Sequence, residues 1–235
     1  MEERELELFI MNDPKSVISE AFRVLRTNLQ FSSIDKPVKK VVVTSSMPQE
    51  GKSTVAANLA VSIASTRSKV LLVDADLRRP KLYKLFRLEN YKGLSNFLAE
   101  DLPLESVITK MANLHIITSG PIPPNPAEIL GSSKMKKFLD EMATKYDMIL
   151  LDAPPVNSVA DAAILSTLVD GVILVVETGV TAREAAIAAK QQLEKVNAKI
   201  LGVVLNKIKQ DKNGGYYYYY YYYGEEGTKK RKKKR

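Results

Sequence analysis

Short apolar segments without a polar face recur along this 235-residue chain and alternate with segments that carry a helical pattern. A strand that is apolar on both sides must be buried on both sides, and its alternation with helices is typical of a parallel sheet with helices on each face. The sequence therefore predicts an α/β fold built on a mostly parallel sheet. The predicted strands are residues 41–43, 70–73, 114–118, 148–151, 172–176 and 200–205, and the clearest helices are residues 53–65, 133–144, 159–168 and 181–195.

The predicted body begins with a helix and ends after the last strand. Residues 14–31 carry apolar side chains at three- and four-residue steps, which predicts the first helix. Residues 78–114 are less regular and predict short helices, and no repeat or linker divides the body. After Asn206 the composition turns polar and glycine-rich. We therefore predict one domain over residues 1–207 and a flexible tail over residues 208–235.

The positive charge of the chain is concentrated at one end. The formal net charge of +8 comes from 35 basic and 27 acidic residues, but seven of the basic residues are residues 229–235, which leaves 28 against 27. A nearly neutral body predicts no nucleic-acid-binding surface. The basic end could contact an anionic lipid surface at about 1 kcal/mol per basic residue, or it could be a solvated tail.

Composition also limits the compartments and sites open to the chain. The absence of cysteine excludes disulfides and thiolate metal sites and fits a reducing cytoplasm. No apolar run approaches the ~20 residues that span a bilayer. The first residues lack the basic and apolar regions of a signal peptide. We therefore expect any membrane contact to be peripheral.

A phosphate-binding loop is predicted between the first strand and the helix that follows it. Residues 46–53 are Ser-Met-Pro-Gln-Glu-Gly-Lys-Ser, and such a loop requires a strand before it and a helix after it. Backbone N–H groups would cradle phosphates, Lys52 would reach the β- and γ-phosphates, and Ser53 would bind Mg²⁺. Ser46 stands where the strict pattern has glycine. The predicted nucleotide-binding residues of the loop are Pro48, Gln49, Glu50, Gly51, Lys52, Ser53 and Thr54.

Three aspartates at strand ends are predicted to lie beside this loop, because ligands bind beyond the carboxyl ends of parallel strands. Asp152 follows one apolar strand, and Asp74 and Asp76 follow another, where an extended segment would point both the same way. Their repulsion indicates a divalent cation, with one of the pair supporting the metal and the other accepting a proton from an attacking hydroxyl. The alternative is that the pair caps a turn. The candidates are Lys52, Asp74 and Asp76 for catalysis, and Ser53, Asp76 and Asp152 for metal binding.

Eight consecutive tyrosines lie in the predicted tail, between glycines. A run of one residue type has no period that would bury one face, so we expect it to be exposed. Beside a nucleotide site it indicates an acceptor for phosphate, whereas alone it could be a low-complexity or aggregation-prone segment. The predicted acceptors are Tyr216, Tyr217, Tyr218, Tyr219, Tyr220, Tyr221, Tyr222 and Tyr223.

Taken together, these motifs resemble those of the bacterial tyrosine kinases. Residues 71–78, Leu-Leu-Val-Asp-Ala-Asp-Leu-Arg, are similar to the additional Walker A′ element of that family. Residues 149–152 resemble its Walker B element and residues 44–53 its Walker A element, although the family usually has glycine at the position of Gln49. The tyrosine run resembles the family's acceptor cluster. The resemblance covers nearly the whole chain.

One glutamate and two arginines of the first predicted helix match the family's E-x₂-R-x₂-R oligomerisation motif, namely Glu20, Arg23 and Arg26. They lie on one face of the helix and are opposite in sign, so they could pair across a subunit boundary. A solvated face with salt bridges inside one chain is the alternative.

The resemblance implies a P-loop NTPase fold related to the MinD/ParA ATPases, ATP and Mg²⁺ as cofactors, and phosphorylation of the tail between neighbours in a homo-oligomeric ring. It points to the stand-alone cytoplasmic kinases of capsule and exopolysaccharide export. That implies recruitment to the inner face of the cell membrane by the cytoplasmic segment of a membrane activator, or polysaccharide co-polymerase. Asn206, at the end of the last strand, would contact adenine as the matching residue does in related ATPases.

Two other classes of protein are compatible with part of these motifs. A nucleotide-switched positioning ATPase of the MinD/ParA kind would share the loop, but those proteins carry a signature lysine where this chain has Met47. A module that binds nucleotide without chemistry is the other alternative. Phosphotyrosine formed in the presence of ATP would distinguish a kinase from both. His115, the only histidine, is expected to be structural.

Overall fold

The computed structural model describes residues 8–32, 37–100 and 102–208, and within these residues the strands form one sheet. The strands are β1 Lys40–Ser45, β2 Val70–Asp74, β3 Ile108–Met111, β4 Leu114–Ile117, β5 Met148–Asp152, β6 Gly171–Glu177 and β7 Ile200–Asn206. Their order across the sheet is β3-β4-β2-β5-β1-β6-β7. Every neighbouring pair is parallel except β3 with β4. The mostly parallel sheet that the alternation of strands and helices predicts is confirmed.

Short and long helices connect these strands. They are α1 Phe9–Asn12, α2 Val17–Phe31, α3 Lys52–Ala64, α4 Leu82–Leu85, α5 Leu94–Ala99, α6 Pro126–Leu130, α7 Ser133–Lys145, α8 Asp161–Ser166 and α9 Arg183–Lys195, with a 3₁₀ turn at Leu104–Ser106. Helices α2 and α7 are each preceded by a capping serine, Ser16 and Ser132, whose side chain accepts a hydrogen bond from the backbone N–H three residues later.

Two apolar cores lie on opposite faces of the sheet, because side chains alternate between the faces of a strand. In β1, Val42 packs into the core beneath α5 to α9, whereas Val41 and Val43 pack into the core beneath α1 to α4. All three valines are fully buried. This placement explains why the central strands have no polar face, and it confirms the prediction of helices on both sides.

Helix α3 is buried around most of its circumference because it lies between the sheet and α2. Its alanines allow close approach on both sides, and Asn58 and Ser62 are buried among them. Arg26 of α2 donates from Nη1 to the carbonyl oxygen of Ser62 at 2.8 Å. The helix that follows the phosphate loop is therefore held between α2 and the sheet.

The structure adds elements that the sequence pattern does not predict. Strand β3 lies at the edge of the sheet, antiparallel to β4, inside the stretch described above as irregular. Helix α1 precedes the first predicted helix, and α8 is shorter than predicted. No helix in residues 8–32, 37–100 and 102–208 has both the length and the apolar character needed to cross a bilayer. The tyrosine run and the basic end lie outside the described residues, so the division into domain and tail stays a prediction.

Candidate active site

Three neighbouring strands end at one edge of the sheet and bring the predicted functional residues together. In the order β2-β5-β1, the first two strands end in Asp74 and Asp152, which stand opposite each other in the register. The third strand leads into the phosphate loop, and α3 begins at Lys52. The sequence prediction that these residues share one edge therefore agrees with the sheet order.

Lys52 lies between two of the predicted aspartates. Its Nζ atom is 2.8 Å from Oδ2 of Asp76 and 3.1 Å from Oδ1 of Asp152, and it is 3.3 Å from Oγ of Ser53. Burial alone would lower the pKa of this ammonium group, but the charges of Asp152 and Asp76 outweigh burial and raise the pKa above its ordinary value. Lys52 therefore stays charged and offsets the repulsion between the two carboxylates.

The two aspartates after β2 have different partners, because Asp76 pairs with Lys52, whereas Asp74 accepts hydrogen bonds from backbone N–H groups. Strand β2 ends at Asp74, and the chain turns there, so the alternation of a strand no longer applies. Oδ2 of Asp74 accepts hydrogen bonds from the backbone N–H groups of Leu82 at 3.0 Å and Lys81 at 3.2 Å, and Oδ1 accepts one from Asp76 at 3.3 Å. Complete burial, with the neighbouring Asp152 charge, raises the pKa of Asp74 well above its ordinary value. Its carboxyl group holds the turn that presents Asp76.

The residues around Lys52 fit a magnesium ion that binds together with phosphates. Oδ2 of Asp152 is buried and has no hydrogen-bond partner among the described residues. Burial raises the pKa of this carboxyl group, and the charge of Lys52 partly opposes the rise. Within the described ranges no group of three His, Cys, Asp or Glu side chains is arranged to hold a metal alone. Mg²⁺ commonly takes one or two carboxylates together with water and substrate phosphates, and the carboxylates of Asp152 and Asp76 and the hydroxyl of Ser53 are the protein donors beside Lys52.

The phosphate loop offers backbone donors at the start of α3. In the described part of the chain, the N–H groups of residues 51–54 have no hydrogen-bond acceptor, whereas Val55 donates to the carbonyl oxygen of Gly51 at 2.9 Å. Such groups at a helix N-terminus are suited to anions. Gly51 has φ +89° and Gln49 has φ +66°. For Gln49, which carries a Cβ, this conformation costs roughly 1–2 kcal/mol, a cost that glycine at this position would avoid.

The buried side chain of Glu50 stabilises the loop through hydrogen bonds. Its carboxylate accepts hydrogen bonds from Oγ of Ser46 at 2.8 and 2.9 Å and from the N–H of Met47 at 2.9 Å, and it also accepts one from Oγ1 of Thr181. The exposed crest of the loop is formed by residues 47–49. The Ser46 hydroxyl thus takes part in the loop's own support, which gives a physical reason for serine in place of the first glycine.

The ends of β6 and β7 hold the other side of the loop. Asn206 donates from Nδ2 to the carbonyl oxygen of Glu50 at 2.8 Å, and Lys207 donates from Nζ to that of Gln49 at 2.6 Å. Lys207 also pairs with Oε2 of Glu177 at 2.7 Å. Asn206, predicted to contact adenine, therefore touches the loop, and its contact with a base stays a prediction.

Comparisons with known proteins agree with this geometry. The ParA family model, described as NUBPL iron-transfer P-loop NTPase, matches residues 37–234. Tyrosine-protein kinase YwqD of Bacillus subtilis (strain 168) is 46% identical over 205 residues, which are 86% of this chain and 86% of that protein. The kinase domain of Escherichia coli tyrosine kinase ETK superposes with a TM-score of 0.81 at 32% identity and covers 87% of this chain and 82% of that one.

The chain belongs to the bacterial tyrosine kinases. It is a protein-tyrosine kinase built on a ParA/MinD-like P-loop NTPase fold. The septum site-determining protein MinD of Pyrococcus horikoshii OT3, complexed with Mg-ADP, has a TM-score of 0.62 at 26% identity and covers 74% of this chain and 72% of that one. The kinase therefore shares its scaffold with MinD, as the resemblance implies.

The three residues of the kinase's predicted oligomerisation motif make contacts within the chain. Arg23 pairs with Glu20 at 2.6 Å on an exposed face and donates to the carbonyl oxygen of Pro14, while Arg26 is directed onto α3. Their part in assembly stays a prediction. His115 accepts or donates a 2.7 Å hydrogen bond with Tyr146, a contact within the fold.

One ion pair of the kinase was missed by the sequence analysis. Arg78 makes two hydrogen bonds to Asp161, from Nε at 2.9 Å and from Nη2 at 3.0 Å, and the Asp161 side chain is fully buried. Asp161 begins α8, where an aspartate normally indicates a helix start, and nothing in the sequence pairs it with Arg78. Glu177 and Lys207 were missed as well, although both stand at the carboxyl edge, where ligands bind.

Proposed function

We propose that this kinase uses ATP and Mg²⁺ to phosphorylate tyrosines of its own residues 216–223. The observation that supports this most strongly is the position of the Lys52 ammonium, 2.8 Å from Asp76 and 3.1 Å from Asp152, at the start of the helix with free N–H groups. A cation, two carboxylates and backbone donors are the parts that phosphoryl transfer requires.

The nucleotide would lie along the phosphate loop. The N–H groups of residues 51–54 would bind the phosphates, Lys52 would neutralise the β- and γ-phosphate oxygens, and Asn206 at the end of β7 would contact adenine. Binding of Mg-ADP by the structurally similar MinD supports a nucleotide on this scaffold. Lys52 would then exchange part of its contact with the aspartates for contact with phosphate oxygens.

Ser53 and Asp152 would hold Mg²⁺ directly or through water, and Asp76 would do so only through water, which leaves its carboxylate available to accept a proton. When bound, the ion would neutralise charge on the β- and γ-phosphates. Asp152 is supported by its unpartnered and buried Oδ2 atom. The hydroxyl of Ser53 is supported by its place in the first turn of α3, next to Lys52.

Asp76 is the better supported of the two candidate bases. In the proposed step, Oη of tyrosine forms a bond to the γ-phosphorus, the bond from that phosphorus to the β–γ bridging oxygen breaks, and ADP leaves. The tyrosine proton passes to a carboxylate oxygen of Asp76. Asp74 is less suited because backbone N–H groups hold both of its oxygens, whereas in Asp76 they hold only Oδ1, and Oδ2 pairs with Lys52, which would turn toward the phosphates. Positioning and charge neutralisation would supply most of the rate.

The acceptors would be presented from the tail of a neighbouring copy in a ring. Tyr216 lies ten residues after Asn206, a span of at most about 33–36 Å. This reach includes both the chain's own site and that of a neighbour, and the preference for a neighbour comes from the family resemblance. Full modification would add about 12–16 negative charges, at 1.5–2 per phosphate. We expect repulsion from the carboxylate-rich site to release the tail and favour disassembly.

The proposed biological role is control of capsule or exopolysaccharide synthesis and export. The kinase would be held at the inner face of the cell membrane by the cytoplasmic segment of a membrane activator, with the basic end as a possible additional lipid contact. The support is the resemblance to the stand-alone kinases of such systems, together with the length match to YwqD.

Intact mass of the purified chain before and after Mg²⁺-ATP tests the activity. We expect additions of about 80 Da each, mapping to residues 216–223, and none in Lys52→Met. Lys190→Met, which removes an exposed lysine that pairs with Glu194 on α9, is the matched control and should be modified like the wild type. The assay should include the activator's cytoplasmic peptide. ATP turnover without phosphotyrosine would contradict the proposal and favour a MinD-like switch.

Light scattering tests the proposed disassembly. The phosphorylated kinase should be smaller than the unphosphorylated one at equal concentration. A phosphorylated form of unchanged size would refute that part of the proposal.

A further inference from the structure

We propose that Lys207, held by Glu177, is a positioning residue of the phosphate loop. Lys207 would fix the loop in the shape that binds phosphate without itself touching the nucleotide. The inference rests on the proposed nucleotide site and adds to it a pair of residues that belongs to none of the kinase motifs named above.

The pair forms a short bridge from the sheet to the loop. Nζ of Lys207 is 2.6 Å from the carbonyl oxygen of Gln49 and 2.7 Å from Oε2 of Glu177. The side chain of Lys207 is 30% exposed and that of Glu177 19%. Because the two charged groups are partly shielded from water, their ion pair is stronger than one on an open surface.

The contact sets the orientation of a peptide plane. A peptide unit is planar and trans, so a carbonyl that is held on one side directs the N–H of the same unit to the opposite side. Lys207 holds the unit between Gln49 and Glu50, and Asn206 holds the next unit through the carbonyl of Glu50 at 2.8 Å. The N–H of Gly51 belongs to that second unit and has no acceptor in the described part of the chain. Two consecutive residues at the end of β7 thus orient two consecutive peptides of the loop.

Gln49 is the position at which the loop most needs such support. Its φ of +66° lies in the left-handed region, which residues with a Cβ seldom adopt. Among the described residues, Lys207 is the donor to its carbonyl oxygen. A lysine side chain loses rotamer freedom when it is fixed, and Glu177 offsets that loss by holding the ammonium group in place.

The sheet fixes the distance between the supporting residues and the loop. Glu177 and Asn206 are paired in the register of β6 and β7, and Lys207 follows directly. β6 in turn pairs with β1, whose end leads into the loop. Support from paired strands is rigid, which is what a positioning role requires.

Titration with a fluorescent ADP analogue, mant-ADP, tests the inference on the full chain. We expect Lys207→Met to weaken binding about tenfold, Lys207→Arg to restore most of the affinity, and Glu177→Gln to give a smaller loss. The double variant Lys207→Met/Glu177→Gln should be no weaker than Lys207→Met alone, because Glu177 acts through Lys207. Lys190→Met should bind like the wild type. Thermal unfolding without nucleotide should show that every variant is folded at the titration temperature.

Kinetics provide a second readout. Lys207→Met should raise the KM for ATP more than it lowers kcat, because the loop and not the reacting groups is disturbed. Wild-type affinity in Lys207→Met, or additive losses in the double variant, would overturn the inference and leave the proposed nucleotide site intact. Failure of the wild-type chain to bind mant-ADP would instead overturn the nucleotide site itself.

Discussion

Gly51 is constrained at the residue scale both by its own backbone and by its neighbour. Its φ is +89°, and a Cβ at this position would lie 2.2 Å from Nδ2 of Asn206. We expect Gly51→Ala to lower the free energy of unfolding by roughly 1–3 kcal/mol and to abolish nucleotide binding, because the side chain displaces Asn206 from the loop. Urea denaturation and mant-ADP titration would measure both effects.

Two other glycines allow the effect of backbone strain to be measured separately from the effect of the close contact with Asn206. Gly179 has φ +74° and open space around a Cβ, so Gly179→Ala tests backbone strain alone. Gly202 also has open space and no positive φ, so Gly202→Ala should change stability by less than about 1 kcal/mol. If Gly51→Ala proved no more destabilising than Gly179→Ala, the close contact with Asn206 would have no energetic role.

His115 gives the fold a pH dependence at the residue scale. Burial, with the nearby charges of Lys69 and Lys110, lowers the pKa of its imidazole below the ordinary value of 6.5. His115 of the unfolded chain therefore binds a proton more readily than His115 of the folded chain. The contribution of neutral His115 to the free energy of unfolding is complete above pH 6.5 and declines as the pH falls below that value. We expect the melting temperature of the wild type to fall more steeply between pH 7.5 and pH 5.5 than that of His115→Gln. Parallel curves for the two proteins would contradict this.

Side-chain roles at the site could be predicted only in part. Lys52 was identified because the phosphate-loop motif determines its position, and Asp152 was identified because it ends an apolar strand. Asp74 and Asp76 could not be told apart, since the alternation rule applies only while the chain is extended, and β2 ends at Asp74. Lys207 was overlooked because one of its partners is a backbone carbonyl, which leaves no trace in residue types, and the other, Glu177, is 30 residues away in the sequence.

At the scale of elements, the ion pair between Arg78 and Asp161 joins the turn after β2 to the start of α8. Asp161 is fully buried, whereas the side chain of Arg78 is 38% exposed. We expect Asp161→Asn to lower the free energy of unfolding by about 2 kcal/mol, less than for a wholly buried pair because water partly solvates the arginine. Phosphotransfer should fall too, since Asp76 lies in the same turn. Urea denaturation and phosphotyrosine yield would measure the two effects.

An exposed pair within one helix provides the comparison for that variant. Glu141 and Lys145 of α7 are 2.5 Å apart with half-exposed side chains. Glu141→Gln should cost no more than about 0.5 kcal/mol. Equal losses in Asp161→Asn and Glu141→Gln would show that the buried pair does not connect the two elements.

Elements with a strong apolar pattern were predicted and those at the margin were not. Strand β3 contains Thr109 and Lys110, both exposed, because an edge strand contacts the core through only part of its length. The pattern of such a strand is too polar to distinguish from a loop. Helix α1 has four residues, too few to show a helical period.

For the molecule as a whole, the exposed side of α2 is the surface on which assembly would depend. Arg23 and Glu20 pair on the surface and contribute little to stability, whereas Arg26 holds α2 against α3. We expect Arg23→Ala to leave the melting temperature unchanged and to reduce the oligomer mass in light scattering. Arg26→Ala should reduce the oligomer mass and should also lower the free energy of unfolding by about 1–3 kcal/mol. An unchanged oligomer mass in Arg23→Ala would exclude this face as the interface.

The overall architecture could be predicted from the sequence more completely than the order of the strands in the sheet. Apolar strands that alternate with helices already imply a parallel sheet with its ligand edge at the strand ends. Which strands are neighbours depends on pairings between distant segments, such as Val41 with Leu150 and with Gly171. Such pairings are decided by packing of the complete chain and not by any local pattern.

The central place of β1 has a consequence during synthesis. Both of its neighbours in the sheet are encoded in the second half of the chain, and Lys52 and Asp152 are 100 residues apart. At about 5–20 residues per second, a ribosome needs on the order of 5–20 s to travel from one to the other. During that interval the growing chain has a phosphate loop but no partner strand beside it. We therefore expect the proposed nucleotide to stabilise the nascent chain only after β5 and β6 have left the ribosome.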